Sequence, residues 1–220
     1  VAAAATCTGC AIGNQHAYHT ITPQVQQPGA GWVAIAVDDR REAIVRGDKT
    51  PDFVGLSRGG YGNTFDVTTA SEQALAVDFA ETVARGLQQA GYRVSVVPSQ
   101  RGQTPAKVMA QLARSGAGRF LLLRLNQWRS DTYQNTALDY DVVAMAFDGR
   151  GGVLAEKQLK GRDNLGGSFW NPPAHAKSAV PQAFQQKLEM LLNDPSITNA
   201  LRVVPSGPAT ARVQLRRPTS

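Results

Sequence analysis

Hydrophobic positions along the chain follow two rhythms, and their succession lays out a fold. Residues 32–37, Trp-Val-Ala-Ile-Ala-Val, form an apolar run that stops at Asp38, Asp39 and Arg40, the pattern of a buried strand leaving the core at a charged turn. A glycine-rich insertion, 46–63, follows, with short strands at 53–56 and 65–67. Thr69-Ala-Ser-Glu72 has capping-box spacing, because the hydroxyl and the carboxylate can each satisfy the other's end of a first helical turn. The helix it predicts places Leu75, Phe79, Val83 and Leu87 on one stripe and stops at Gly91. Residues 92–97 alternate as a strand. A second helix starts at Thr104-Pro105, carries Val108, Met109 and Leu112, and ends at Gly116 before a central strand at 120–125. Residues 138–147 and 153–160, joined by Asp148-Gly-Arg-Gly-Gly152, read as an antiparallel hairpin. The last helix carries Val180, Phe184, Leu188, Leu191 and Leu192, with Pro181 placed in its first turn, where a missing N–H is tolerated.

Three helices against a mixed, largely antiparallel sheet predict one α+β domain over residues 32–203, a two-layer sandwich. Residues 10–31 are polar and turn-prone and read as a flexible tether, able to hold the domain roughly 25 Å from an anchor; His16 and His19 fall in it as solvated side chains. Residues 204–220 have almost no apolar content and read as a disordered basic tail.

Charge changes little in this picture. The chain of 220 residues is 42% apolar and has 23 Lys and Arg against 17 Asp and Glu, but four of the excess positive charges, Arg202, Arg212, Arg216 and Arg217, follow the last acid, Asp194. The folded part is therefore close to neutral, and with its aromatics in apolar strand contexts no nucleic-acid face is expected. No apolar run reaches the ~18 residues of a membrane-spanning helix.

Residues 1–9 are small and uncharged and read as the remnant of a secretory signal peptide. Cys7-Thr-Gly-Cys10 looks like a bacterial lipobox, with Cys10 as the acylated residue; Cys7 stands where Leu is usual. Ala11 follows where an inner-membrane retention signal would have Asp, so the expected address is the periplasmic side of the outer membrane. The rival reading, a metal set of Cys7, Cys10, His16 and His19, fails on spacing: zinc modules put a dozen or so residues between the Cys and His pairs. No metal and no cofactor are expected.

The order of strand with Asp38 and Arg40, helix, strand, helix, strand ending in Leu125-Asn126, long hairpin, Gly167, Phe169 and Ala174, and a final helix closing on Asp194-Pro-Ser-Ile197 resembles the YajG-type bacterial lipoproteins. That resemblance covers residues 32–197. It implies an envelope lipoprotein without an established activity and a fold similar to the N-terminal domain of TolB. The glycine-rich insertion and the basic tail are not parts of the family pattern.

Catalytic constellations are weak. Asp38 and Asp39 are adjacent on a strand and point to opposite faces, so Asp38 and Arg40, two apart, read as a structural ion pair. His175, after Pro172-Pro173, has no expected triad partner. Gly59-Gly-Tyr-Gly62 lacks the context of a phosphate loop. Trp128, Tyr133, Phe169 and Trp170 flank the long hairpin and form either a binding site or, for at least two of them, the cap of a sheet end. The expectation is a non-enzymatic adaptor or accessory subunit, anchored in the membrane through acylated Cys10 and touching an envelope protein complex or peptidoglycan. The alternative is a glycan- or small-molecule-binding module built on the loop aromatics.

Overall fold

A computed structural model describes residues 14–59 and 61–202. Cys7, Cys10, the predicted leader and the predicted tail lie outside these residues. The strands are β1 (Gln15–His16), β2 (Trp32–Asp39), β3 (Phe53–Arg58), β4 (Thr64–Thr69), β5 (Arg93–Val96), β6 (Arg119–Thr132), β7 (Asn135–Asp148) and β8 (Val153–Gly167). The helices are α1 (Glu42–Arg46), α2 (Leu75–Gln89), α3 (Pro105–Arg114), α4 (Pro172–Leu192) and α5 (Pro195–Leu201). Among the described residues no helix is long and apolar enough to cross a membrane.

The fourteen-residue β6 is the spine. One of its edges pairs antiparallel with β7, and β7 pairs with β8, so the predicted hairpin is a three-stranded meander. The other edge forks. The first half of β6 pairs with parallel β2, which carries β5 outside it, and the last residues pair with parallel β3, which carries β4 and β1. At the fork the β6–β7 register slips between Leu125 and Gln127, and α1 lies in the gap with Ile44 buried.

That one-residue bulge at Asn126 governs what each face carries. Before it, Leu121, Leu123 and Leu125 face one core and Phe120 and Leu122 the other. After it the parity reverses, and Trp128 faces the same core as the odd-numbered leucines. That core is covered by α2, α4 and α5. Beneath the first half of β6, the opposite face packs Ala34, Ala36, Phe120, Leu122 and Met145 against Val108 and Leu112 of α3. The expected two layers are therefore three over half of the sheet. The expected three helices are five, because α1 and α5 are too short to leave a periodic signal.

Two local expectations also change. The capping box does not form: β4 runs through Thr69, whose hydroxyl donates to the Gln73 carbonyl at 2.6 Å, and α2 starts only at Leu75. α4 starts at Pro172, capped by Asn171 Oδ1 accepting from the Ala174 N–H at 3.1 Å, so Pro181 sits mid-helix. The missing N–H there is tolerated because the flanking turns are held by burial of Val180, Ala183 and Phe184.

The largest correction concerns residues 14–31, which are not a free tether. β1 pairs with β4, Tyr18 and His16 are buried, and the rest is fastened to two helices. Arg85 Nη2 donates to the carbonyls of His19 and Ile21, both at 2.7 Å. Asn193 bonds both ways with the backbone of Gln24 and Gln26 at 2.8 Å. Gly86 exists for this packing, since a Cβ there would lie 2.7 Å from the Pro23 carbonyl oxygen. The segment's polar composition hid its function as a strap: apart from His16, Tyr18 and Pro23 its side chains are partly or fully exposed, while its backbone N–H and carbonyl groups are bound by Arg85 of α2, Glu189 of α4 and Asn193.

Candidate functional site

The sequence-predicted aromatic residues do not form one group. Trp128 is 1% exposed. It sits in an edge-to-face cluster with Tyr18, Phe79 and Phe184, ring centroids 5.2 to 6.3 Å from its own, and its indole N–H donates to the Tyr18 hydroxyl at 3.0 Å. It therefore takes no part in an exposed binding site, because the Asn126 bulge turned it inward.

Tyr133, Phe169 and Trp170 do come together at one end of the sheet. Tyr133 is in the β6–β7 turn, and Gly167, which precedes the loop carrying Phe169 and Trp170, pairs with Asn135 just beyond that turn. They are 46%, 81% and 90% exposed, and the Phe169 and Trp170 rings stand edge to face with centroids 5.3 Å apart. The loop is braced from both sides: Ser168 Oγ accepts from the Asn171 N–H at 3.2 Å, and Asn171 caps α4. Two residues that pattern reading missed share this end. Tyr61 of the β3–β4 turn is fully exposed and Phe65 at the start of β4 half exposed; β3 reaches the same level because Ser57 pairs with Thr132.

Around these rings three arginines face two aspartates. Arg58 makes a two-pronged bond to Asp131 at 2.8 and 2.6 Å, and Arg129 and Arg162 both lie 3.3 Å from Asp139. The hydrogen bond from Arg58 holds the Asp131 carboxyl below the ordinary carboxylate range. A shallow cleft of about 450 Å³ between Asp131, Tyr133, Asn135, Arg162 and Asn164 opens here. Further along the same face, burial would raise the Asp141 carboxyl, but bonds from Gln158, Asn126 and Lys160 outweigh it and the pKa falls.

At the fork, Asp38 and Arg40 are joined, Nε to Oδ2 at 2.8 Å, and Arg40 also donates to the Gln103 carbonyl at 2.6 Å. Asp39 takes the opposite side, where Arg41 grips both its oxygens at 2.9 and 2.7 Å and also donates to the carbonyls of Phe53 and Pro51. All four side chains spend their polar atoms on holding the strand end.

Two histidines need separate mention. His16, expected in solvent, is 1% exposed, and its Nε2 lies 3.1 Å from Ser130 Oγ. Burial is the main reason that its pKa falls to about 4. Ser130 is also buried and is pressed against Gly55, where a Cβ would lie 2.1 Å from Oγ. Neither group presents an atom to a substrate, and the pair fixes β1 and β3 against β6. His175 Nε2 meets the Leu165 carbonyl at 2.9 Å and ties the start of α4 to β8. Among the described residues no three His, Cys, Asp or Glu side chains are grouped as metal ligands would be.

No family model matches the chain, and no curated protein matches it. Solved structures do. The protein XCC0632 of Xanthomonas campestris, described under family DUF330, is similar over 81% of this chain and 92% of its own, with 17% identity and a TM-score of 0.51. The hypothetical protein CT253 of Chlamydia trachomatis is similar over 78% of this chain and all of its own, at 15% identity and a TM-score of 0.44. The lipoprotein GNA1162 of Neisseria meningitidis is similar over 72% and 99%, at 16% identity and a TM-score of 0.36. The first likeness is one of fold alone, and the other two are looser. No family model supports the YajG-type resemblance. The chain is a mixed α+β domain with a curled sheet, of a fold it shares with XCC0632.

Proposed function

We propose that this protein is a lipid-anchored envelope protein of the periplasmic side of the outer membrane that works by contact, as a non-enzymatic adaptor or accessory subunit. The observation that carries this reading is the contrast within the domain. Asp38, Asp39, Arg40, Arg41, His16, Ser130 and His175 are all engaged in holding elements together, whereas the sheet end with Tyr133, Phe169 and Trp170 is exposed and braced. A scaffold that uses these side chains to hold itself together, and that presents three large aromatics at one sheet end, is suited to docking. The anchor is Cys10 of the lipobox-like Cys7-Thr-Gly-Cys10, and the partner is an envelope protein complex or peptidoglycan.

The test is the intact mass of the protein extracted by detergent from bacterial membranes, beside a Cys10→Ala control. A species starting at Cys10 and carrying acyl chains, absent from the control, is the expected result; an unmodified chain that keeps residues 1–9 overturns the anchor. Crosslinking before extraction then reads the contact function. The cleft beside Tyr133 and Arg162 supports a second reading, a glycan-binding module, now without Trp128. Saturable quenching of Trp170 emission by soluble peptidoglycan fragments would favour it over the adaptor.

A further inference from the structure

The geometry points to the aromatic end of the sheet as a membrane-seating surface, in which Tyr61, Phe65, Tyr133, Phe169 and Trp170 enter the headgroup region of the bilayer that Cys10 is anchored in. This rests on the proposed anchor: the sheet sets the side from which the chain enters β1, and Cys10 holds that side to the bilayer.

β1 runs parallel to β4, with Gln15 beside Thr68 and His16 beside Thr69, and the Asn14 carbonyl accepts from the Thr68 N–H at 3.2 Å. β4 itself starts at the β3–β4 turn, where Thr64 pairs with Arg58. The chain thus comes into β1 from the side of that turn. Cys10 is four residues before Asn14, a reach of about 14 Å when extended. That equals the span from Val67 back to Asn63, the residue before β4, so an acyl group on Cys10 can lie level with the exposed rings. Had residues 14–31 been the loose tether that their composition suggests, the domain could adopt any orientation. With the strap bound, four residues leave it little choice.

The surface has the chemistry of an interfacial seat. Tyr and Trp combine an apolar ring with a polar tip and favour the membrane–water boundary over either phase. The rings come from three separate turns at one level, and of the three arginines nearby Arg58 is matched by Asp131 while Arg129 and Arg162 share Asp139, which leaves one net positive charge. One net charge is small beside five rings, so seating is mainly aromatic and salt changes it little. A domain seated this way stands with β6 upright, its Arg119 end about 43 Å from the bilayer at roughly 3.3 Å per residue. Arg119 binds the carbonyls of Ala200 and Arg202 there, so the last described residues lie at the end away from the bilayer.

The experiment separates this inference from acylation in the cell. The Cys7→Ser protein, full length, is coupled through Cys10 to a maleimide-bearing phospholipid in phosphatidylethanolamine–phosphatidylglycerol vesicles whose acyl chains carry bromine. Trp170 is the sole tryptophan at the seating end, since Trp32 is at the other end beside Arg93 and Trp128 is buried. Bromine is expected to quench the wild-type chain at least about threefold more than Trp170→Phe, nearly equally in low and high salt. Equal quenching of the two proteins overturns the proposal and leaves the rings to a protein partner; quenching that vanishes in high salt overturns its aromatic basis. Because coupling is chemical, an unacylated Cys10 in cells refutes the anchor without touching this result.

Discussion

The domain holds two sets of aromatic side chains that differ in almost nothing but where the backbone aims them. Tyr18, Phe79, Trp128 and Phe184 interlock edge to face under α2 and α4, with Tyr18 and Trp128 joined by their polar atoms. Tyr61, Tyr133, Phe169 and Trp170 stand in water at the end of the same sheet. Composition cannot separate the sets. Trp128 lies between Gln127 and Arg129 and Trp170 is followed by Asn171, and only a one-residue bulge and a capped turn send one inward and the other out. An aromatic side chain in a polar stretch is thus a question about register before it is one about function.

The comparison breaks most visibly from the inside. Trp128→Ala opens a cavity that Phe79 and Phe184 cannot fill, and the expected loss is about 3–5 kcal/mol of unfolding free energy, read as a lowered denaturant midpoint. The second effect is one of pH. His16 is held neutral by burial, with its pKa at about 4, while in the unfolded chain it titrates near its ordinary value of about 6.5. Between those values the unfolded state binds the proton and the folded state does not, so stability is full above about pH 6.5 and falls as pH drops toward 4. At pH 5 the expected loss is about 2 kcal/mol relative to pH 7. Denaturant titrations at the two pH values check it against His16→Gln, which should lose this part of the difference and keep that of every carboxylate, Asp78 included. A third, smaller effect separates packing from polarity: Tyr18→Phe keeps the ring but orphans the Trp128 N–H, and should cost about 1–2 kcal/mol in the same titration.

What the sequence disclosed and what it hid follow one physical line. The helical stripes of α2 and the later turns of α4, the apolar runs of β2 and β6, and the Asp38–Arg40 pair were legible because period and sign suffice to place them. Three features were not. The bulge at Asn126 has no local signature, so the inward turn of Trp128 and the run of β6 to Thr132 were invisible. The strap of residues 14–31 is held by carbonyls and by Asn193 and Arg85, distant in sequence, and backbone groups leave no pattern. The Asp39–Arg41 grip was hidden by its neighbour, since adjacent pairs in Asp-Asp-Arg-Arg serve opposite faces of one strand. The contribution of Tyr61 and Phe65 to the exposed end needed the pairing of β3 with β6, a contact across more than seventy residues.

The smallest expected effect is the sharpest edge of the comparison. Phe169→Ser and Trp170→Ser, alone or together, should change unfolding stability by no more than about 0.5 kcal/mol, because neither ring has a buried face to lose. Their mutual edge-to-face contact is made in water and is replaced by hydration when one ring goes. The bracing of the loop, Ser168 to Asn171 and Asn171 to Ala174, uses atoms that neither substitution touches. Thermal melts of the single and double variants beside Trp128→Ala therefore give a direct contrast: two exposed rings removed at almost no cost against one buried ring removed at great cost. A double variant that melts several degrees below the wild type would mean that these rings pack on the sheet end in solution, and the outward set would have to be reassigned to the core.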